Sequence, residues 1–261
     1  MMQRLLPLSL LACAILLMPF LGTTATAHAA DDDPSATTII QNAEELLRGD
    51  SQQGTYRMKV ITPDYEREMT FDFWAEGNDK TFIRILEPSR DRGVTYLKLG
   101  TEMWNHVPRI DRTVRIPPSM MMQSWMGSNF TNDDLAQASS LVEDYEQELL
   151  GRTEVNGTEA FHVELTARPD AAVAWEKLHY FVAVDTFIPL RAEYFDERGD
   201  KVRIMRFDEV GEMGGRTIPQ VMEVTEPDNP GEKTRLELVD MQFNIDIDAS
   251  IFTRRNLERS R

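Results

Sequence analysis

The 261 residues carry 44 acidic against 28 basic side chains, a formal charge of −16 at pH 7. A field of that sign repels polyanions, so binding to nucleic acid or to an anionic membrane surface is excluded before any motif is sought. A hydrophobic share of 41% is enough to build a buried core, and a lone cysteine, Cys13, rules out an internal disulfide.

In chain order, residues 1–30 read as a leader. Arg4 supplies a positive charge, Leu5 to Leu21 form an apolar run, and "ATAHAA" ends in the small-x-small pattern Ala27-His28-Ala29 that signal peptidase cuts. Cleavage after Ala29 or Ala30 leaves residues 31–261 as a single exported domain without cysteine, one unit more negative for the loss of Arg4. Cys13 is not read as a lipidation site, because the apolar run continues well beyond it. No later run reaches the roughly eighteen apolar residues of a membrane-spanning helix.

Ile39, Ile40, Ala43, Leu46 and Leu47 fall at helical spacing, with Glu44 and Glu45 on the other side and Gly49 as a stop. The period then becomes two. In "GTYRMKVI" Tyr56, Met58 and Val60 alternate with Arg57 and Lys59. In "REMTFDFWAEG" Met69, Phe71 and Phe73 alternate with polar residues, and Trp74 stands on the polar parity. "KTFIRILEP", "GVTYLKLG", "TEMWNHVPR" and "RTVRIPP" follow on joins too short for parallel crossovers, which predicts an antiparallel meander.

The segment Ile116 to Leu135, "IPPSMMMQSWMGSNFTNDDL", interrupts this pattern. Thr131 or Asn132 reads as an N-cap, and Asp133 and Asp134 sit where a helix start favours negative charge. Strands resume with "DYEQELLG", "EAFHVELTAR", "WEKLHYFVAV", "PLRAEYFD", "KVRIMRFDEV", "RTIPQVMEVTEP" and "KTRLELVDMQFN", and "DASIFTRRNLER" ends the chain as a short irregular or helical tail. Roughly eleven or twelve strands are expected in one strongly curled, open antiparallel sheet, since a large single sheet must curl. An N-terminal helix and a short inserted helix are expected to cover its concave face.

Catalytic chemistry finds little support. The histidines beyond the leader, His106, His162 and His179, sit in strand-like runs, and neither a zinc-type spacing nor a GxSxG elbow occurs. No catalytic residue, metal ligand or cofactor is expected. Fourteen methionines, three of them in the leader, are the more informative feature. Methionine adapts to varied apolar neighbours, so these side chains fit either gap filling in the core or the lining of a cavity for acyl chains. Such a cavity would gain roughly 0.8 kcal/mol per buried CH₂ of ligand. The candidate lining is Leu46, Leu47, Met58, Val60, Met69, Phe71, Phe73 and Trp104, with Met121, Met122, Trp125, Met126 and Phe130 from the inserted segment. Trp125 and its methionines can be a lid over that cavity, packing within the core, or a contact with a transporter.

Residues Arg84 to Leu135, and above all "MMMQSWMGSNFTNDDL", resemble the bacterial outer-membrane lipoprotein-sorting proteins of the LolA/LolB-like superfamily, in an uncharacterised branch. The similarity extends from about Asp31 to the C-terminal tail. "EPSRDRG" (Glu87 to Gly93) and "MWNHVP", with Trp104 and Pro108, match the family pattern, and Arg57 stands by position alone where the lipoprotein carriers place an early-strand arginine. The resemblance implies an incomplete, strongly curled antiparallel β-barrel of about 11 strands, and a non-enzymatic carrier or chaperone in the periplasm of a Gram-negative bacterium. Its cargo would be lipid or acylated protein, and an inner-membrane RND/MMPL-type transporter a partner. A second reading stands beside it: a periplasmic adaptor for such a transporter, with no lipid cargo of its own.

Overall fold

The computed structural model describes residues 33–137, 139–171, 173 and 175–259, so the expected leader and Cys13 lie outside the described residues. Helix α1 (Ala36–Arg48) starts where the Ser35 hydroxyl accepts the Thr38 N–H and stops at Gly49, whose φ of 61° lies in the left-handed region. Six strands follow: β1 (Ser51–Ile61), β2 (Glu66–Glu76), β3 (Lys80–Glu87), β4 (Thr95–Leu99), β5 (Glu102–Val107) and β6 (Arg112–Ile116). After the short helix α2 (Asn132–Ala136) come β7 (Tyr145–Val155), β8 (Thr158–Ala167), β9 (Lys177–Ala183) and β10 (Pro189–Phe195). Strands β11 (Lys201–Met213), β12 (Arg216–Thr225) and β13 (Lys233–Phe243) complete the set, and α3 (Arg254–Leu257) lies in the tail.

All thirteen strands form one sheet in the order β6-β5-β4-β3-β2-β1-β13-β12-β11-β10-β9-β8-β7. The pairings are antiparallel throughout. This corrects the expected barrel of about 11 strands: the sheet is open, neither closed nor strongly curled, and holds thirteen strands. Every period-two run became a strand, including the five-residue β4 and β6. The two ends of the strand series, β1 and β13, pair in the middle of the sheet, which leaves β6 and β7 as opposite edges with no ladder between them.

The central pairing is close. A Cβ on Gly54 would fall 2.0 Å from the carbonyl oxygen of Asp240 on β13, beside the register shift at Thr55/Tyr56. Only glycine fits there.

Strand alternation divides the apolar residues between two faces. Tyr56, Met58, Val60, Met69, Phe71 and Phe73 join Ile39, Ile40 and Ala43 of α1 in the main core. Trp74, Phe82, Leu97 and Trp104 pack on the other face beneath Ile247, Phe252 and Leu257 of the tail. The Thr95 hydroxyl donates to the Leu257 carbonyl at 2.6 Å, and the Arg254 guanidinium lies 4.7 Å from the Trp104 ring. The odd parity of Trp74 thus has its cause in the covering tail. Among the described residues no helix is long and apolar enough to cross a membrane.

Replacing Gly54 with alanine is expected to destabilise the whole sheet by about 3 kcal/mol, since the clash is with backbone rather than a mobile side chain. Urea unfolding followed by far-UV circular dichroism checks this, and a variant as stable as the wild type would show that the β1–β13 contact relaxes freely.

Candidate functional site

Because β6 and β7 are consecutive in sequence but at opposite edges, residues 117–144 must cross the sheet. Two prolines open the crossing, and its centre is a tight loop in which the Trp125 N–H donates to the Phe130 carbonyl at 2.7 Å. Met126 and Gly127 at its tip have φ values of 49° and 72°, and the Ser128 hydroxyl closes it onto the Trp125 carbonyl at 2.8 Å. Thr131 then caps α2 in a reciprocal capping box with Asp134. The Asn132 side chain reaches back to the Met120 carbonyl at 2.9 Å, so the methionine run is tied to the helix start.

The crossing is pinned to both halves of the sheet. Arg67 of β2 donates to the Met126 carbonyl, Thr81 of β3 to the Ala136 carbonyl at 2.7 Å, and Gln52 of β1 to the Gln137 side chain at 2.8 Å. Trp125, fully buried, meets Phe71 at 5.2 Å and Tyr96 at 5.5 Å between ring centroids. From the second half, Thr234 of β13 donates to the Asn129 side chain at 2.9 Å, and Arg203 of β11 holds Asp134 at 2.8 Å. Arg203 is only 2% exposed, ringed by Tyr194, Trp175 and Phe130 at 4.6, 5.5 and 5.9 Å. A charge so deep needs its partner, because a buried ion left alone is strongly unfavourable.

Beneath the crossing lies a cavity of about 170 Å³. Its walls are Tyr56 and Phe73 from β1 and β2, Tyr180 and Tyr194 from β9 and β10, Met205 and Phe207 from β11, and Leu236 and Leu238 from β13. Leu47 of α1 and Phe130 and Leu135 of the crossing also line it, and Arg48, Asp133, Asp134, Gln137 and Ser139 add polar groups to the lining. Burial raises the phenol pKa of Tyr56, Tyr180 and Tyr194, so these hydroxyls stay neutral. Asp133 is pushed up to about 6, first by burial and then by the neighbouring Asp134 carboxylate. The Ser139 hydroxyl, at 2.9 Å, and the cations Arg48 and Lys98 oppose that rise.

Of the residues singled out in the sequence, Leu47, Phe73 and Phe130 line this cavity. Met58, Val60, Met69, Phe71 and Trp125 are buried in the core beside it, while Leu46, Met121 and Met126 are half-buried against that core. Met122 is 52% exposed, and Trp104 is on the opposite face under the tail. Arg57 is also on that face, paired with Glu68 and Glu237 at 3.6 and 3.3 Å. The walls from β9 to β13 went unnamed although their alternation was readable, and Arg203 shares the apolar parity of Met205 and Phe207. A charge on that parity was the available signal.

The histidines of β8 and β9 are not isolated. His162 Nε2 meets His179 Nδ1 at 2.8 Å, and His179 Nε2 meets Glu164 at 3.0 Å. Among the described residues no group of three metal-ligating side chains is placed to hold an ion.

Residues 77–259 match the profile of a family described only as an uncharacterized protein. No curated protein matches. Among solved structures, a LolA superfamily protein from Nitrosomonas europaea is 25% identical with a TM-score of 0.74, over 85% of this chain and 99% of that one. A DUF1329 family protein from Desulfovibrio piger is 20% identical with a TM-score of 0.78, over 86% and 99% of the two chains. A putative outer membrane lipoprotein-sorting protein domain from Vibrio parahaemolyticus is 19% identical with a TM-score of 0.75, over 86% and 98%. The last two show the shared fold.

Asp133 keeps a proton in the folded chain at pH values where the unfolded chain has lost it. Its contribution therefore lowers stability as pH rises from about 4 to 6, and the full cost is present above that window. Relative to the wild type, Asp133→Asn should gain on the order of 2 kcal/mol between pH 4 and pH 7.5. Urea midpoints at the two pH values test this, and a constant difference would contradict it.

Proposed function

Since the chain belongs to an uncharacterised branch of the LolA superfamily of periplasmic proteins, we propose that it carries the acyl chains of a lipid or lipoprotein in the cavity beneath its crossing segment. In this reading the chain is a carrier rather than an enzyme, which its similarity to a LolA superfamily protein supports. The observation that supports the carrier reading is the cavity of about 170 Å³, with aromatic and aliphatic walls and lined on one side by a segment that runs edge to edge.

Size limits what the present arrangement can hold. An engineered apolar cavity of about 150 Å³ takes one benzene, so this one takes a short stretch of chain. A full acyl chain needs the crossing to lift, and each CH₂ it then buries contributes about 0.8 kcal/mol. Trp125, Met121 and Met126 are the cover in this reading, and Leu46, Met58, Val60, Met69 and Phe71 become lining as it moves. In the same proposal residues 31–261 act as one exported domain, released from a cleavable leader into the periplasm of a Gram-negative bacterium.

The exposure of Met120 and Met122, 38% and 52%, favours a second reading of the same segment. It would meet a partner such as an RND/MMPL-type transporter, either to hand over cargo or as an adaptor without cargo.

Delipidated protein should take up a fluorescent alkyl-chain probe near one-to-one. Trp125→Ala should lose most of that uptake and, because the ring is buried, about 3 kcal/mol of stability, while the far-UV spectrum stays close to wild type. Absence of uptake by the wild type would sink the carrier reading, and global unfolding of the variant would make Trp125 core rather than cover.

A further inference from the structure

Phe130 and Trp175 line the inner cavity, and both also line a surface groove of about 340 Å³ that includes Asn129, Arg203 and Glu226. The two side chains are therefore the wall between an apolar interior and a polar exterior. Arg203 lies against both rings, at 5.9 Å from Phe130 and 5.5 Å from Trp175.

This wall holds two buried donors with no acceptor: the indole Nε1 of Trp175 and the guanidinium Nε of Arg203. The other Arg203 nitrogens are answered by Asp134 at 3.3 and 2.8 Å, so charge is balanced while a donor is left over. Leaving donors unpaired in a buried wall is unfavourable, and the shortfall ends when an acceptor arrives. A bare hydrocarbon passing between the rings offers none, whereas an ester or amide carbonyl offers one at the junction of its apolar chain and polar head.

The structure assigns the Phe130–Trp175–Arg203 wall as a subsite for the carbonyl of an ester- or amide-linked acyl chain, with the chain inward and the head in the groove. This rests on the carrier reading and specifies its ligand. The head is uncharged or cationic. In the groove the Glu226 carboxylate is held by the side-chain amides of Asn129 and Asn229, at 3.0 and 2.9 Å, rather than by a cation. With Arg203 already paired to Asp134 and the whole chain at −16, a free fatty carboxylate would be a third carboxylate beside those of Asp134 and Glu226 against the single Arg203 cation. Both donors are sealed from solvent, so Phe130 must swing away for the carbonyl to reach them.

The test compares three probes of equal chain length: a monoacylglycerol, its ether-linked analogue and the free fatty acid. The wild type should bind the ester about five-fold more tightly than the ether, the worth of one net hydrogen bond, and the fatty acid most weakly. Trp175→Phe keeps an aromatic ring and removes one of the two donors, leaving Arg203 Nε, so it should narrow the ester preference over the ether, with its far-UV spectrum and urea midpoint showing that it is folded. Phe130→Ala should speed uptake of both neutral probes. Equal wild-type affinity for ester and ether, or an ester preference undiminished in a folded Trp175→Phe, overturns the subsite and leaves the carrier reading standing. Failure of the wild type to bind even the ether overturns both.

Discussion

The pairing of β1 with β13 is the constraint on which the remaining architecture depends. It closes the chain's two strand series onto each other at the centre of the sheet, through a contact at Gly54 that leaves no room for a side chain. Once those strands are neighbours, β6 and β7 can only be edges, and the segment between them has to traverse an apolar face. The cover over the cavity is thus a topological consequence, and its composition follows. A segment laid on aromatic and aliphatic strands buries Trp125, Phe130 and Leu135 toward the sheet, while Met120 and Met122 remain outside.

The crossing is held differently at its two ends. Toward β1–β4 it is fixed largely by neutral hydrogen bonds and by the packing of Trp125 on Phe71 and Tyr96. Toward β11 the attachment is the buried pair of Arg203 and Asp134, in which Asp134 also completes the capping box of α2. One carboxylate thereby couples the start of the helix to the strand wall. Buried ion pairs add little net stability over apolar packing, but removing one partner is heavily penalised, so they fix position more than they add strength. Asp133, next in the chain, works in the other direction: buried with its own carboxylate beside another, it loosens the same helix as it ionises.

Much of this was legible in the sequence. The period-two runs gave the strands, the cap at Thr131 or Asn132 gave α2 with Thr131 as the cap, and Trp74, on the opposite parity from Phe71 and Phe73, packs under the tail. The family resemblance, carried by "MMMQSWMGSNFTNDDL", agrees with the comparisons to solved structures. Closure was not legible. Alternation sets which face a side chain occupies but says nothing of which strands become neighbours, and an expected barrel became an open sheet with two edges. The cavity walls from β9 to β13 were missed for a related reason: their lining depends on β13 returning beside β1. Trp104 shows the converse, an aromatic in a family-like motif that packs under the tail and away from the cavity.

In the proposed function the crossing segment is a cover that opens while the sheet stays folded. Native-state hydrogen exchange tests it directly, because amides released by local opening exchange with lower free energy than those needing global unfolding. Amides of residues 121–137 should exchange well before those of β1, β2 and β13, and bound acyl ligand should slow them selectively. Exchange of the segment together with the central strands, unaffected by ligand, would contradict it.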